Sequence, residues 1–90
     1  MMITPYNLLR HELVGLPVRV DAPGGKIEGM VEWETAKTIT IKTSRGSKRV
    51  EKGACTFEFT LPLDAICEVA GRLLAGRPEE RIKKRHRIRF

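Results

Sequence analysis

Aromatic side chains are scarce in this sequence: one tryptophan, one tyrosine and three phenylalanines, 6% of 90 residues. A protein that reads single strands by stacking bases on a row of aromatic platforms needs more of them. Trp33, Phe57 and Phe59 also fall at positions whose alternation assigns them to a core. Cysteine is as sparse. Cys55 and Cys67 form neither a disulfide framework nor a CxxC zinc pair. Cys67 reads as a small core residue, and Cys55, in the turn-like Gly53-Ala54-Cys55 segment, has no helix N-terminus or fixed base beside it to make a thiolate. No apolar run approaches the ~20 residues that cross a bilayer, so no membrane association is expected. The start Met1-Met2-Ile3-Thr4-Pro5 lacks the charged and apolar regions of a secretory leader, which predicts a cytoplasmic protein with reduced thiols. Catalytic patterns are missing too. His11 sits beside Glu12 and His86 among cations, neither with a nucleophile at a diagnostic spacing, and Pro23-Gly24-Gly25 is a turn, not a phosphate loop.

Charge of one sign is what the sequence has in excess. Lys and Arg number 17 against 11 Asp and Glu, a net charge of +6, with 41% hydrophobic residues to build one small core. The positive charge is concentrated. Arg72, Arg77, Arg81, Lys83, Lys84, Arg85, Arg87 and Arg89 crowd the final stretch, opposed only by Glu79 and Glu80. Lys42, Arg45, Lys48, Arg49 and Lys52 surround one turn, opposed by Glu51. Such groups neutralise phosphates and release counterions, which gives sequence-independent affinity. With so few aromatics, the expected mode is phosphate and 2′-hydroxyl contact with a folded RNA shape. The candidate contacts are Arg72, Arg77, Arg81, Lys83, Lys84 and Arg85, with Lys42, Arg45, Lys48 and Arg49 as a second patch. Glu28, Glu32 and Glu34 share one strand face by alternation and read as a hydrated outer face rather than an acid–base or metal site.

The hydrophobic period divides the chain. Over residues 1–16, Thr4 can cap and Pro5 can start a short helix, Leu9 and Leu13 lie four apart with Tyr6 and Leu8 flanking, and Gly15 offers a left-handed stop before Pro17. This apolar stripe either packs on the domain or meets a protein partner, for which Tyr6, Leu9, Arg10 and Leu13 are the candidates. Over 17–71 the period becomes two. Val18 and Val20 alternate before the Pro23-Gly24-Gly25 turn; then Ile27, Gly29, Val31 and Trp33 point inward and Glu28, Met30, Glu32 and Glu34 outward. Ile39 and Ile41, Val50, Phe57 and Phe59, and Ile66 to Val69 supply the remaining strands. Short strands with a bend at Gly29 and no crossover helix predict an all-β fold, a small, strongly bent antiparallel barrel with short terminal helices. Residues 77–90, with Pro78, Glu79 and Glu80 ahead of the cationic run, read as a basic helix or tail.

Several strings carry a resemblance. Thr4-Pro5 followed by Asn7-Leu8-Leu9-Arg10-His11-Glu12-Leu13-Val14-Gly15-Leu16, then Gly29-Met30-Val31, Glu34-Thr35, Thr38-Ile39-Thr40-Ile41, Lys48-Arg49-Val50-Glu51-Lys52, Phe57-Glu58-Phe59-Thr60-Leu61-Pro62 and Gly76-Arg77-Pro78-Glu79-Glu80-Arg81-Ile82-Lys83-Lys84 occur in order along nearly the whole chain. Together they resemble the archaeal ribonuclease P protein component 1 family, also called p29/Pop4, with Ala70 and Glu80 standing where that family usually has Asp. The resemblance implies an Sm-like barrel and membership of a ribonucleoprotein that cleaves the 5′ leader from precursor tRNA. It implies that the RNA and its magnesium ions hydrolyse the phosphodiester, with no cofactor and no catalytic residue on this chain. It further implies a heterodimer with a second, zinc-binding protein subunit, seated on the specificity domain of the RNA, with the Tyr6–Leu16 segment at the protein interface. A free-standing Sm-like protein that forms rings on RNA is the alternative.

Overall fold

Pro17 opens the first strand where a missing N–H costs nothing, and Val18 and Val20 then drive alternate side chains to one side. In the computed structural model, which describes Leu8 and residues 12–76, this strand is β1, Pro17–Ala22. It turns at Pro23-Gly24 into β2, Gly25–Glu34, followed by β3, Thr38–Thr43, and β4, Gly46–Glu51. A one-turn 3-10 segment, Lys52–Ala54, leads to β5, Thr56–Thr60; a second, Pro62–Asp64, leads to β6, Ile66–Ala70; a third, Gly71–Leu74, follows. All neighbours are antiparallel in one six-stranded sheet of order β4-β3-β2-β1-β5-β6. The expected all-β antiparallel class therefore holds.

β2 is the pivot. Its first half pairs with β1 up to Met30, and from Met30 onward it pairs with β3. At the handover the Lys42 carbonyl occupies the space where a side chain on Gly29 would stand, so only glycine permits so close an approach. Val18, Val20, Val31, Ile39, Ile41, Phe57, Phe59, Cys67 and Val69 fill the concave side with Leu8, Leu13 and Leu74. The rings of Phe57 and Phe59 lie 6.0 Å apart and nearly parallel.

Among the described residues β4 and β6 remain the edges of an open sheet. The ends meet instead through the turns that follow them. The Gly71 amide donates to the Cys55 carbonyl at 2.9 Å, and the Lys52 and Cys55 carbonyls fill the space a Gly71 side chain would need.

Two local expectations are corrected. The helical segment expected over residues 1–16 is absent from its last part, residues 12–16: Val14 and Gly15 form a turn, with the left-handed φ of +94° expected of Gly15, and the Gly15 amide and Leu16 carbonyl bond Val31 of β2. The strict alternation of β2 also fails. Val31 opposes Ile41 but Trp33 opposes Thr40, so Glu32 is an extra residue, a β-bulge, and every side chain after it changes face. Trp33 is consequently 64% exposed and Glu34 is buried. The rest of the N-terminal helical segment expected over 1–16, apart from Leu8, and the whole of the basic helix or tail expected over 77–90 lie outside the described residues.

Candidate nucleic-acid interface

Cross-strand register decides which cations share a surface. On the convex face Met30, Lys42 and Ser47 form one row across β2, β3 and β4, and Trp33, Thr40 and Arg49 the next. Arg45 stands at the β3–β4 turn, which is braced by the Thr43 hydroxyl: it donates to the Gly46 carbonyl at 2.7 Å and accepts from the Arg45 amide at 3.1 Å. Lys48 opposes Ile41 on the core side of the pleat, yet it is exposed because β4 is an edge. Among the described residues none of Lys42, Arg45, Lys48 and Arg49 takes part in a salt bridge. The neighbouring Glu32 carboxylate is engaged, accepting from the Ser47 hydroxyl at 2.6 Å. Lys42 and Arg49 thus share the convex face, Arg45 stands at the turn, and Lys48 is exposed along the edge on the other side of the pleat.

The opposite end of the sheet carries the other sign. Arg19 on β1 lies between Glu28 and Glu58, at 3.8 and 3.9 Å, and Glu68 on β6 stands beside Glu58. Among the described residues, positive charge therefore gathers on the β3–β4 side and carboxylates on the β5–β6 side, a separation that would orient a polyanion as well as attract it.

Two residues grouped with these surfaces by sequence belong elsewhere. Lys52 is only 1% exposed. Its Nζ donates to Glu34 Oε2 at 2.7 Å, to the Gly76 carbonyl at 3.0 Å and to the Ala36 carbonyl at 3.4 Å. It is a core cation, withdrawn from any phosphate. Glu34 likewise leaves the acidic face proposed for Glu28, Glu32 and Glu34. With Glu28 on Arg19, Glu32 on Ser47 and Glu34 on Lys52, the three carboxylates have parted. Among the described residues no group of three His, Cys, Asp or Glu is placed to hold a metal ion.

Arg72 is exposed on the turn after β6, beside the Lys52–Gly53 turn, and with Lys37 it borders a shallow depression at the base of the hairpin. Lys37 was missed in the sequence, although a cation in the turn between two strands is a readable signal. Leu13 packs fully buried in the chain's own core. Tyr6, Leu9, Arg10, Arg77, Arg81, Lys83, Lys84 and Arg85, with His11 and His86, lie outside the described residues. Burial raises the Cys55 thiol pKa, with help from the Asp21 and Glu51 carboxylates, and burial alone raises that of Cys67. Both shifts oppose a nucleophilic role.

Among the described residues, a small antiparallel sheet presents a cationic hairpin that takes part in no salt bridge, the arrangement of a polyanion-binding surface. Known proteins make the class specific. The model of the family described as Ribonuclease P/MRP, subunit p29 matches residues 6–84. The chain is 45% identical to Ribonuclease P protein component 1 of Methanothermobacter thermautotrophicus, over 96% of this chain and 98% of that protein. It is 44% identical to the protein of the same name from Methanocaldococcus jannaschii, over 99% and 98%. A solved structure, Mth11, a homologue of human RNase P protein Rpp29, superposes with a TM-score of 0.57 at 40% identity, covering 80% of this chain and 99% of that one. The chain belongs to the ribonuclease P/MRP p29 family.

Proposed function

We propose that this chain is a non-catalytic protein subunit of ribonuclease P, which binds the RNA subunit and supports removal of the 5′ leader from precursor tRNA. The observation that carries this reading is the β3–β4 hairpin, whose Lys42, Arg45, Lys48 and Arg49 are exposed and free of salt bridges among the described residues. Such cations bind phosphates without reading bases. Arg72 extends the contact, and Arg77, Arg81, Lys83, Lys84 and Arg85 add to it in sequence. The hydrolysis then rests with the RNA and its magnesium ions. Family membership supports this division of labour, and nothing in it favours a free-standing ring.

In this reading the bent sheet belongs to an Sm-like barrel whose ends meet through the docked turns after β4 and β6. A second, zinc-binding protein subunit pairs with the N-terminal region, where Tyr6, Leu9 and Arg10 are the candidate contacts. The complex works in the cytoplasm; among the described residues no helix is long and apolar enough to cross a membrane.

Reconstitution tests the proposal. Ribonuclease P RNA and its protein subunits, assayed with and without this chain across magnesium concentrations, should cleave precursor tRNA at lower magnesium when it is present. Identical magnesium curves would reject a supporting role, and cleavage by the isolated chain would reject a non-catalytic one.

A further inference from the structure

The chain's single tryptophan stands in water on the convex face, just past the β2 bulge. Trp33 is 64% exposed, and Met30, on the preceding convex row, is 49% exposed. Burial is what an indole ordinarily contributes to so small a sheet, yet this core is filled without it by Val31, Ile39, Ile41, Phe57 and Phe59. Among the described residues the stacked rings are those of Phe57 and Phe59, and Trp33 stacks on neither.

The surroundings of the indole are cationic. Thr40 on β3 opposes Trp33, and Arg49 on β4 opposes Thr40, so Arg49 shares the row of the tryptophan two strands away, about 10 Å across the sheet. Lys42 lies diagonally, opposite Met30 and one row nearer the β3–β4 turn. Both cations are exposed and take part in no salt bridge among the described residues. Of the nearby carboxylates, Glu32 accepts from the Ser47 hydroxyl at 2.6 Å, and Glu51 stands one row beyond Arg49, opposite Thr38. A protein partner would bury such a ring in a wider apolar surface, but on β2, β3 and β4 the exposed large apolar side chains are Met30 and Trp33 alone. A nucleotide covers the ring with its base and brings an anion to each cation beside it.

We propose that Trp33 is the stacking platform for one unpaired base of the RNA, with the phosphates flanking that nucleotide held by Lys42 and Arg49. The inference rests on the RNA-binding reading above and adds a contact that charge alone does not supply. Every base has a π-face, so the platform selects an unstacked nucleotide without selecting its identity. One platform suits an isolated extruded base in a folded RNA, whereas a run of single strand needs several in a row.

The test reads the fluorescence of this lone indole in the full chain, which needs no label. Two short RNA duplexes are compared, identical except that one carries a single bulged adenosine. The bulged duplex should quench Trp33 emission and bind more tightly, and the fully paired one should bind through charge with little quenching. Against a ribonuclease P RNA transcript, Trp33→Thr should weaken binding about five- to thirtyfold at an unchanged log–log salt slope, because no phosphate contact is lost. Trp33→Phe, which keeps a smaller ring, should retain most of the affinity. Lys42→Ala with Arg49→Ala should instead make the slope shallower by about two. Should Trp33→Thr fail to fold, quenching of the parent decides alone. A folded Trp33→Thr chain with parental affinity would overturn the proposal, as would equal quenching, or none, by the two duplexes. So would a Trp33→Thr chain that keeps the RNA but loses a ribonuclease P protein subunit, since the ring would then be a protein contact. A parent chain that fails to bind RNA would overturn the functional reading and this inference with it, whereas salt-sensitive binding by the parent with no effect at Trp33 overturns only the inference.

Discussion

An ammonium and a carboxylate taken out of water each carry a penalty of several kcal/mol, and the Lys52–Glu34 pair offsets it with a short contact and two carbonyl acceptors. The balance is asymmetric. Lys52→Met alone strands the Glu34 carboxylate in the core and should cost about 3–5 kcal/mol, seen as a lower urea midpoint at unchanged slope, whereas the paired replacement should be close to neutral. The cysteines give a second residue-scale prediction. Because burial raises both thiol pKa values, the folded state holds those protons more tightly than the unfolded chain does. That stabilisation is complete below the unfolded thiol pKa of about 8.5 and fades as pH rises through the higher folded values. Alkaline urea titrations should show stability falling with pH, and Cys55→Ser/Cys67→Ser should flatten the fall. Thiol alkylation of the folded protein near neutral pH should be slow beside that of the urea-unfolded chain.

At the scale of elements, β2 carries the most consequential irregularity, and it marks where the sequence stopped being readable. Four of the strands follow from period-two patterning, because one side of each is apolar, and β4 follows from the turn residues at 44–46 and the single inward Val50. Gly29 announced an irregular position, and there the Lys42 carbonyl stands where a side chain would be. The extra residue at Glu32 left no such mark: Val-Glu-Trp-Glu is a perfect alternation, and its apolar tryptophan favours the wrong phase. Only the tertiary partner, Lys52 arriving from beyond β4, makes Glu34 the better inward residue. The same blind spot put Lys52 among the surface cations, since a lysine beside Arg49 in sequence looks like one more charge on a basic hairpin. Lys42, Arg45, Lys48 and Arg49 were legible because an edge hairpin rich in cations has nowhere to bury them. Deleting Glu32 tests the bulge. Without the extra residue Val31, Trp33 and Glu34 oppose Ile41, Thr40 and Ile39 in unbroken register, so Trp33 should stay exposed, Glu34 buried and unfolding cooperative; a Trp33 emission shifted to the blue would instead mean that the strand had slipped. Trp33→Thr should change stability by less than about 0.5 kcal/mol, as surface substitutions usually do, and the parent tryptophan should fluoresce as a water-exposed indole.

For the molecule as a whole, the net charge of +6 draws a polyanion in, and the separation of charge among the described residues decides how it meets the sheet. Carboxylates at 28, 58 and 68 surround Arg19 on one side of the sheet, and the β3–β4 hairpin presents cations on the other. A uniformly basic protein would bind RNA in many orientations, whereas this arrangement favours approach by the hairpin and repels phosphates from the β5–β6 end. If about five phosphates are neutralised, the log–log slope of affinity against salt should lie near −3.5 to −4.5, the two ends corresponding to single- and double-stranded contact. Lys42→Ala, Arg45→Ala and Arg49→Ala together should make that slope shallower by about 2–3, roughly one unit for each lost contact, and should weaken binding most at low salt. Glu58→Gln with Glu68→Gln should raise affinity modestly at low salt through reduced repulsion and steepen the slope by well under one unit, since no phosphate contact is added. A filter-binding salt series on these variants distinguishes the two ends of the sheet. Equal slope changes from both would mean that the protein acts as a diffuse cation, and its folded charge arrangement would then have no part in how it meets RNA.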